Sequence, residues 1–365
     1  MTHLLLLLVI PWLLGVCPCA GVTEEAAAHS PERTITFCSQ NLENFGTYAA
    51  TLSRMPQMTP ERYEVKKNGL VARILEAGCD IVAVQEVVGH GQRQAERGLE
   101  VLIENLNSAS SRRYRGVLTP SEDPDSRVGF FYDDQVQRLE KVVSLTWEEM
   151  PTLDYHYRPQ RYSRGPLVGT FVPTVSPRYR IVVMVLHLKS KRGSQGDPAK
   201  LQFEPLRMQM AAGIVDQLKA RVPEAFIDGS KELLVVAGDR NSEPTSGSAR
   251  ILAGALSLED FRRGGPCIVL RSGEPSCDPE PVHHPMLYSV LPDGRDSRDG
   301  SFRYKGTASW IDTIMVPYAT LRHVGGKVAG AAEAAGRVTW NHPAASDHGM
   351  VSVEFRLPAQ SETSH

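Results

Sequence analysis

The sequence predicts a mixed α/β (α+β) protein, and three observations carry that expectation. Apolar runs rich in β-branched residues recur at 34–41, 80–87, 127–133, 179–190, 232–241, 310–317 and 350–357. These read as strands, several of them buried on both faces. Helical patterns separate some of the runs but do not alternate with them strictly, as an all-parallel sheet would require. The chain of 365 residues, 41% hydrophobic, shows no internal repeat and no low-complexity linker in its mature part, so one large domain over residues 33–357 is the simplest account.

The first element is a leader. "LLLLLVIPWLLGVC" is apolar, interrupted by Pro11 and short for a bilayer span; small residues at Ala20 and Gly21 and a polar stretch follow. Residues 1–20 read as a signal peptide, so the mature protein is expected to be secreted or periplasmic. Val16 stands where a lipobox has a small residue before its cysteine, which argues against a lipoprotein anchor at Cys17.

Export sets the reading of the cysteines. Cys17 and Cys19 leave with the leader. Cys267 and Cys277 flank the loop-like "CIVLRSGEPSC" and are candidates for a disulfide, the sequence leaving open whether they are bridged, whereas Cys38 and Cys79, in apolar runs, are expected to be buried free thiols. No spacing resembles a structural zinc site.

Helices are expected at 60–78, where Leu70, Ile74 and Leu75 fall at helical spacing before a stop at Gly78, and at 94–109 and 204–222. Residues 262–306, rich in Gly, Pro, Asp and Arg, read as a long loop or insertion, and 358–365 as a flexible tail. With 40 Lys and Arg against 42 Asp and Glu, the chain is close to neutral. A nucleic-acid binder of this composition must concentrate its positive charge locally.

The buried runs end in polar residues: Asn41, Glu86, His187, Asp239 with Asn241, Asp312, and the pair Asp347–His348 before the last run. A buried polar group costs free energy unless paired. Any one of these is as well read as a cap or a satisfied structural group; Asn41 alone fits a turn cap in "NLENFG". Their recurrence at strand ends, which converge on one edge of a sheet, points to a site. Carboxylates and amide oxygens without a thiolate form a hard donor set for Mg²⁺, Mn²⁺ or Ca²⁺. Two histidines add proton transfer near neutral pH. A divalent cation with an acid–base pair and nearby arginines is what cleavage of a phosphate ester needs.

Two stretches carry both a functional and a plain reading. Lys189, Lys191 and Arg192, just after His187, either track a polyanion or form a solvated loop. Tyr155, His156, Tyr157, Arg158, Arg161 and Tyr162 either stack on bases or form an amphipathic surface loop. His283 and His284 read as an exposed loop pair, with a metal role as the alternative.

In their order the motifs "SQNLENFG", "DIVAVQEV", "YSRGPLVGTF", "VLHLKSKRG", "AGDRNSEP", "WIDTIMV" and "ASDHGMV" resemble the endonuclease/exonuclease/phosphatase superfamily of metal-dependent phosphoesterases, over residues 34–357. "HLKSKRG" followed by "LRMQM" looks most like its secreted bacterial nucleases. The resemblance implies a deoxyribonuclease-like four-layer sandwich, two packed mixed β-sheets flanked by helices. It implies Asn41, Glu86 and Asp347 at a metal, Mg²⁺ or else Mn²⁺ or Ca²⁺. His348 would be the general base oriented by Asp312, and His187 the complementary imidazole with Glu122 as its partner. Asp239 and Asn241 would contact the attacking water and phosphate, with Arg164 and Lys189 on the phosphate. The chain departs from the family pattern at Arg240, Thr313 and Gly165.

The expected function is therefore a secreted divalent-metal-dependent phosphodiesterase, an endonuclease acting on DNA or RNA as a monomer without a stable protein partner. A phospholipid phosphodiesterase or phosphatase on the same fold is the alternative, with "VPTVSP" (172–177) and "CIVL" (267–270) as candidate lipid-facing segments. A non-catalytic binding protein ranks last, because every expected catalytic position is filled.

Overall fold

All seven apolar runs are strands. In chain order the structure contains β1 (Glu32–Phe45), β2 (Ile81–Val88), β3 (Tyr114–Leu118), β4 (Ser126–Asp133), β5 (Gln137–Ser144), β6 (Glu149–Met150), β7 (Gln160–Arg161), β8 (Leu167–Pro173) and β9 (Arg180–His187). Then follow β10 (Glu232–Asp239), β11 (Cys267–Val269), β12 (Pro275–Cys277), β13 (Tyr288–Ser289), β14 (Phe302–Tyr304), β15 (Thr307–Ser309), β16 (Asp312–Val316), β17 (Arg337–Thr339) and β18 (Met350–Pro358). The helices are α1 (Tyr48–Arg54), α2 (Pro60–Glu76), α3 (Gln92–Ser108), α4 (Glu204–Arg221), α5 (Gly247–Leu252) and α6 (Tyr318–Leu321). This computed structural model describes residues 32–123, 126–153, 160–193, 195, 197, 200–291, 300–325 and 335–358. Residues 1–31, with the expected leader, the aromatic and basic residues at 155–158 and the stretch after Pro358 lie outside the described residues.

Local signals place the three expected helices. At α2 the Thr59 side chain accepts the Arg62 N–H, Pro60 takes the first turn, and Gly78 at φ +66° ends the helix. No helix among the described residues is long and apolar enough to cross a membrane.

The strands form two six-stranded sheets, β17-β18-β1-β2-β4-β3 and β13-β16-β10-β9-β8-β5. Each holds one parallel pair, β1 with β2 and β9 with β10, among antiparallel neighbours. Alternation along the central strands sets the layers. Ile181, Val183 and Val185 of β9 and Leu233, Val235 and Ala237 of β10 face Ile35, Phe37, Ile81, Val128 and Phe130 of the other sheet. The intervening Val182, Met184, Leu186, Leu234 and Val236 pack outward on Met208, Ile214 and Leu218 of α4. The first sheet buries Cys38, Val82 and Val84 against Leu70 and Ile74 of α2 and Leu99 and Leu102 of α3. Helix, sheet, sheet and helix thus stack as the expected four-layer sandwich.

Two expectations are corrected. Cys38 and Cys79 are not free thiols but a disulfide, as are Cys267 and Cys277. Cys79 lies just before β2, and the parallel register Phe37↔Ile81 and Cys38↔Val82 brings it beside Cys38 of β1. Residues 262–306 are not simply a loop: the described part contains two hairpins, β11–β12, closed by the Cys267–Cys277 bond, and β14–β15.

Candidate active site

Register gathers the strand-end residues. His187 pairs with Asp239 across the parallel ladder, and Asp239 pairs with Asp312 across the antiparallel one, so three chemically active residues lie in a row at one edge of the second sheet. Gly238, at φ +138°, turns β10 just before Asp239; a Cβ there would lie 2.0 Å from the Leu186 carbonyl oxygen, so only glycine fits. Asn241 adopts φ +53°, its N–H donates to Asp239 Oδ1 (2.7 Å), and its amide donates to the Leu188 carbonyl (3.1 Å).

The first sheet contributes from the facing edge. Asn41 pairs with Gln85, and β2 then shifts register against β4 between Val84 and Val87. Within that bulge Glu86 sits at φ +59°. The left-handed region costs a non-glycine residue about 1–2 kcal/mol, and such strain gathers at functional sites. The Glu86 carboxylate accepts from the Asn44 N–H (3.1 Å) and from Asn41 Nδ2 (3.3 Å). Asn41 Nδ2 also reaches Asp239 Oδ2 at 3.1 Å, so one amide joins the carboxylates of the two sheets.

His348 enters from the loop before β18. Its Nδ1–H donates to Asp312 Oδ2 at 2.8 Å, and its ring lies 4.6 Å from that of Phe302. Its carbonyl is gripped by Arg73 Nη1 (2.8 Å) and Gln40 Nε2 (3.3 Å), and its N–H donates to Ser346 Oγ (3.1 Å). Burial alone would depress the imidazolium, but Asp312, Asp239 and Asp347 outweigh it and His348 is pushed up to about 10. Asp347 Oδ1 lies 3.7 Å from His348 Nε2, and burial pushes Asp347 up to about 6. A cleft of about 530 Å³ lined by Met55, Met58, Val65 and Lys66 opens beside Asp347.

His187 is the electrostatic opposite. Burial and the neighbouring Arg164 hold it well below the ordinary histidine value, so it is a neutral imidazole. Arg164 Nη1 lies 3.0 Å from its Nδ1 and 3.1 Å from its Nε2; a neutral ring accepts at only one of them. Glu122 is exposed; the carboxylates nearest His187 are Asp239 (3.6 Å) and Glu86 (3.9 Å), and Asp123, not Glu122, faces Arg164 at 3.6 Å. The buried Arg164 Nε makes no hydrogen bond; the carboxylate facing it is Asp123 Oδ2 at 3.6 Å. Lys189 lies over the Phe203 ring at 4.6 Å, and burial and Arg164 lower its ammonium value. Its carbonyl accepts from Arg207, which is locked to Glu204 in an ion pair with both side chains 1% exposed. Lys191 and Arg192 are exposed.

Among the described residues two groups of side chains fit a cation: Glu86, His187 and Asp239, and Asp239, Asp312 and His348, each with ligand atoms within 4.8 Å of one another. Burial, then Asp312, push Asp239 up to about 7. Buried carboxylates that hold their protons this tightly lack positive charge, and a hard oxygen-seeking cation would supply it. Glu86 falls in the first group, Asn41 reaches Glu86 and Asp239 by hydrogen bonds, and Asp347 belongs to neither group, its Oδ1 lying 3.7 Å from His348 Nε2.

Some residues escaped the sequence reading. Arg73 and Gln40 hold His348 in place, and Lys66 donates to Glu43 and to the Ala345 carbonyl at 2.8 Å each. The usable signal was a charged residue, Arg73, on the apolar face of α2. Arg240 is a structural clamp that donates to the Ser242 and Trp310 carbonyls. Gly165 follows from close approach, since a Cβ would lie 2.3 Å from Thr146 Cα. Tyr162 is no stacking platform: it is buried beneath α4 and donates to the Met210 carbonyl.

No protein-family model and no curated protein matches the chain. Solved structures match its fold. ANGEL2, a 2′,3′-cyclic phosphatase, superposes with a TM-score of 0.53 at 14% identity, over 90% of this chain and 96% of that one. The human Nocturnin catalytic domain with bound sulfate gives 0.51 at 16%, over 89% and 95%. An endonuclease/exonuclease/phosphatase family protein of Bacteroides thetaiotaomicron gives 0.51 at 16%, over 90% and 99%. At such identities the likeness establishes the fold, and it is the one the motif order implied.

Proposed function

We propose that this protein is an exported, divalent-cation-dependent phosphodiesterase that hydrolyses nucleic acid, as an endonuclease. The observation that carries the reading is the pair of cation-fitting groups sharing Asp239, with a carboxylate-oriented histidine at one end and a neutral histidine beside an arginine at the other. The fold is shared with ANGEL2, a 2′,3′-cyclic phosphatase, which supports a phosphoester substrate. The two disulfides support the oxidising compartment to which the leader would send the chain.

Glu86 and Asp239, with Asn41, would hold Mg²⁺ or Mn²⁺; when bound, the cation supplies countercharge to the phosphate oxygens. Asp312 fixes the His348 tautomer; with the surrounding carboxylate charge offset by a bound cation, Nε2 would be unprotonated and able to take the proton of the attacking water. His187, being neutral, donates a hydrogen bond to a phosphate or leaving oxygen rather than serving as a charged acid. Arg164 takes the phosphate in its planar fork, and Lys189 adds charge beside it.

Plasmid DNA, single-stranded RNA, sphingomyelin vesicles and an inositol phosphate, each offered with Mg²⁺, Mn²⁺ and Ca²⁺, test the substrate. Cleavage of nucleic acid that stops in chelator is expected. His348→Ala should lose about 10²–10⁴-fold in rate with an unchanged circular dichroism spectrum. Wild-type rates in both His348→Ala and His187→Ala would remove the assignment. A phospholipid substrate is favoured by one observation: Ile268 and Leu270, on the β11–β12 hairpin, are 59% and 41% exposed. In that case the sphingomyelin arm, not the plasmid arm, responds.

A further inference from the structure

The hairpin β14–β15 stands directly against the catalytic imidazole. Phe302 bridges to His348, and the Arg303 N–H donates to the Asp347 carbonyl at 3.1 Å. The hairpin pairs Tyr304 with Thr307, leaving a two-residue turn of Lys305 and Gly306 at φ +48° and +83°. Two successive left-handed residues make the tight turn whose twist suits a hairpin. Alternation puts Phe302 and Tyr304 on one face and Arg303 on the other.

The side chains form a graded aromatic row. The Phe302 ring lies 4.6 Å from that of His348 and runs nearly parallel, at 8° and 6.4 Å, to Tyr304. Tyr304 is 53% exposed, with Lys305 Nζ 5.4 Å from its centroid. On the opposite face the Arg303 guanidinium lies 4.4 Å from the Trp340 ring. The row thus leads from His348 out to an exposed ring with one cation, Lys305, beside it, on a chain whose overall charge offers a polyanion no attraction. Aromatic faces with interleaved cations are how single strands are held without sequence preference, each base on a ring and the backbone on the charges. A lipid surface would be met by apolar side chains at the turn, and the turn carries Lys305 instead.

We propose that the β14–β15 hairpin is the single-strand subsite of this enzyme: the base next to the scissile phosphate stacks on Tyr304, and Lys305 takes the adjoining backbone. The proposal rests on reading the neighbouring site as a nucleic-acid phosphodiesterase, and it narrows the substrate to unpaired strands or strand ends.

The test separates binding from cleavage. Anisotropy of a fluorescein-labelled single-stranded oligonucleotide is measured in EDTA with the full-length wild type, Tyr304→Ala, Tyr304→Phe and Lys305→Ala. Tyr304→Ala should weaken binding about 5- to 150-fold, the range for a lost base stack. Tyr304→Phe should bind like wild type, and Lys305→Ala should make the salt dependence shallower by about one backbone contact. The urea midpoint of each variant reports its fold, and Tyr304→Phe keeps the comparison valid if Tyr304→Ala is unstable. Equal affinities for wild type and Tyr304→Ala, or no oligonucleotide binding by the wild type, overturn the proposal. So does capture of sphingomyelin vesicles, rather than oligonucleotide, that depends on Tyr304. Tyr304-dependent binding without cleavage under any cation leaves the subsite standing and removes the hydrolytic reading.

Discussion

His348 and His187 show how one residue type is given opposite charges. His348 faces three carboxylates and keeps its proton up to about pH 10, whereas His187 lies against Arg164 and stays neutral. The sequence offered both histidines at strand ends, which was enough to nominate them, but their protonation depends on partners from other elements, Asp312 at a separation of 36 positions for His348 and Arg164 at 23 for His187. Asp312→Asn tests the first arrangement. The His348 titration midpoint, followed by NMR in the cation-free protein, should fall from about 10 toward the ordinary histidine value, and hydrolysis should drop about 10²–10⁴-fold. Linkage gives the same variant a second signature. A histidine raised in the folded state stabilises the fold fully below its unfolded value and loses that contribution as pH rises through the folded one. The cation-free wild type should therefore lose stability between about pH 6.5 and 10, and Asp312→Asn should flatten that slope in urea titrations. An unchanged slope would remove Asp312 as the source.

At the scale of elements, periodicity and caps made the long pieces legible. The helices α2, α3 and α4 begin and end within two residues of their expected bounds, α2 and α4 with a proline in the first turn and α3 on apolar periodicity alone. What periodicity cannot show is which strands lie side by side. The Cys38–Cys79 bond was missed for that reason: the two cysteines are 41 residues apart, and only the parallel pairing of β1 with β2 makes them neighbours. The hairpin β14–β15 was missed because three-residue strands are too short to alternate visibly. The Cys38–Cys79 bond closes a loop containing α1 and α2 under the strand that carries Asn41. Loop closure of that length is worth about 4 kcal/mol in the chain-entropy model. The double variant Cys38→Ala with Cys79→Ala should lower the urea midpoint and steepen the slope, because the freed unfolded chain exposes more surface, and a midpoint and slope equal to the wild type would mean the bond does not form in the purified protein.

Across the whole molecule the site is a seam between two sheets. Asn41 and Glu86 come from one sheet, His187, Asp239 and Asp312 from the other, and Asn41 Nδ2 is the hydrogen bond that spans them. The motif order anticipated this convergence, but not its electrostatic cost: Asp239 is buried among carboxylates and pushed up to about 7. An acid raised in the folded state loses stability as pH climbs from its unfolded value through the folded one, so above pH 7 the ionised Asp239 strains the cation-free seam. A cation held by Glu86 and Asp239 relieves this and ties the sheets together, contributing about 2.7 kcal/mol at a hundredfold excess over its dissociation constant. At pH 8 the wild type should melt several degrees higher in Mg²⁺ or Mn²⁺ than in chelator. Asp239→Asn separates the two effects: without the buried charge it should melt above the wild type in chelator, and without a shared ligand it should gain nothing from the cation. If Asp239→Asn instead keeps the full cation-dependent rise, the ion sits elsewhere and the seam is held by hydrogen bonds alone.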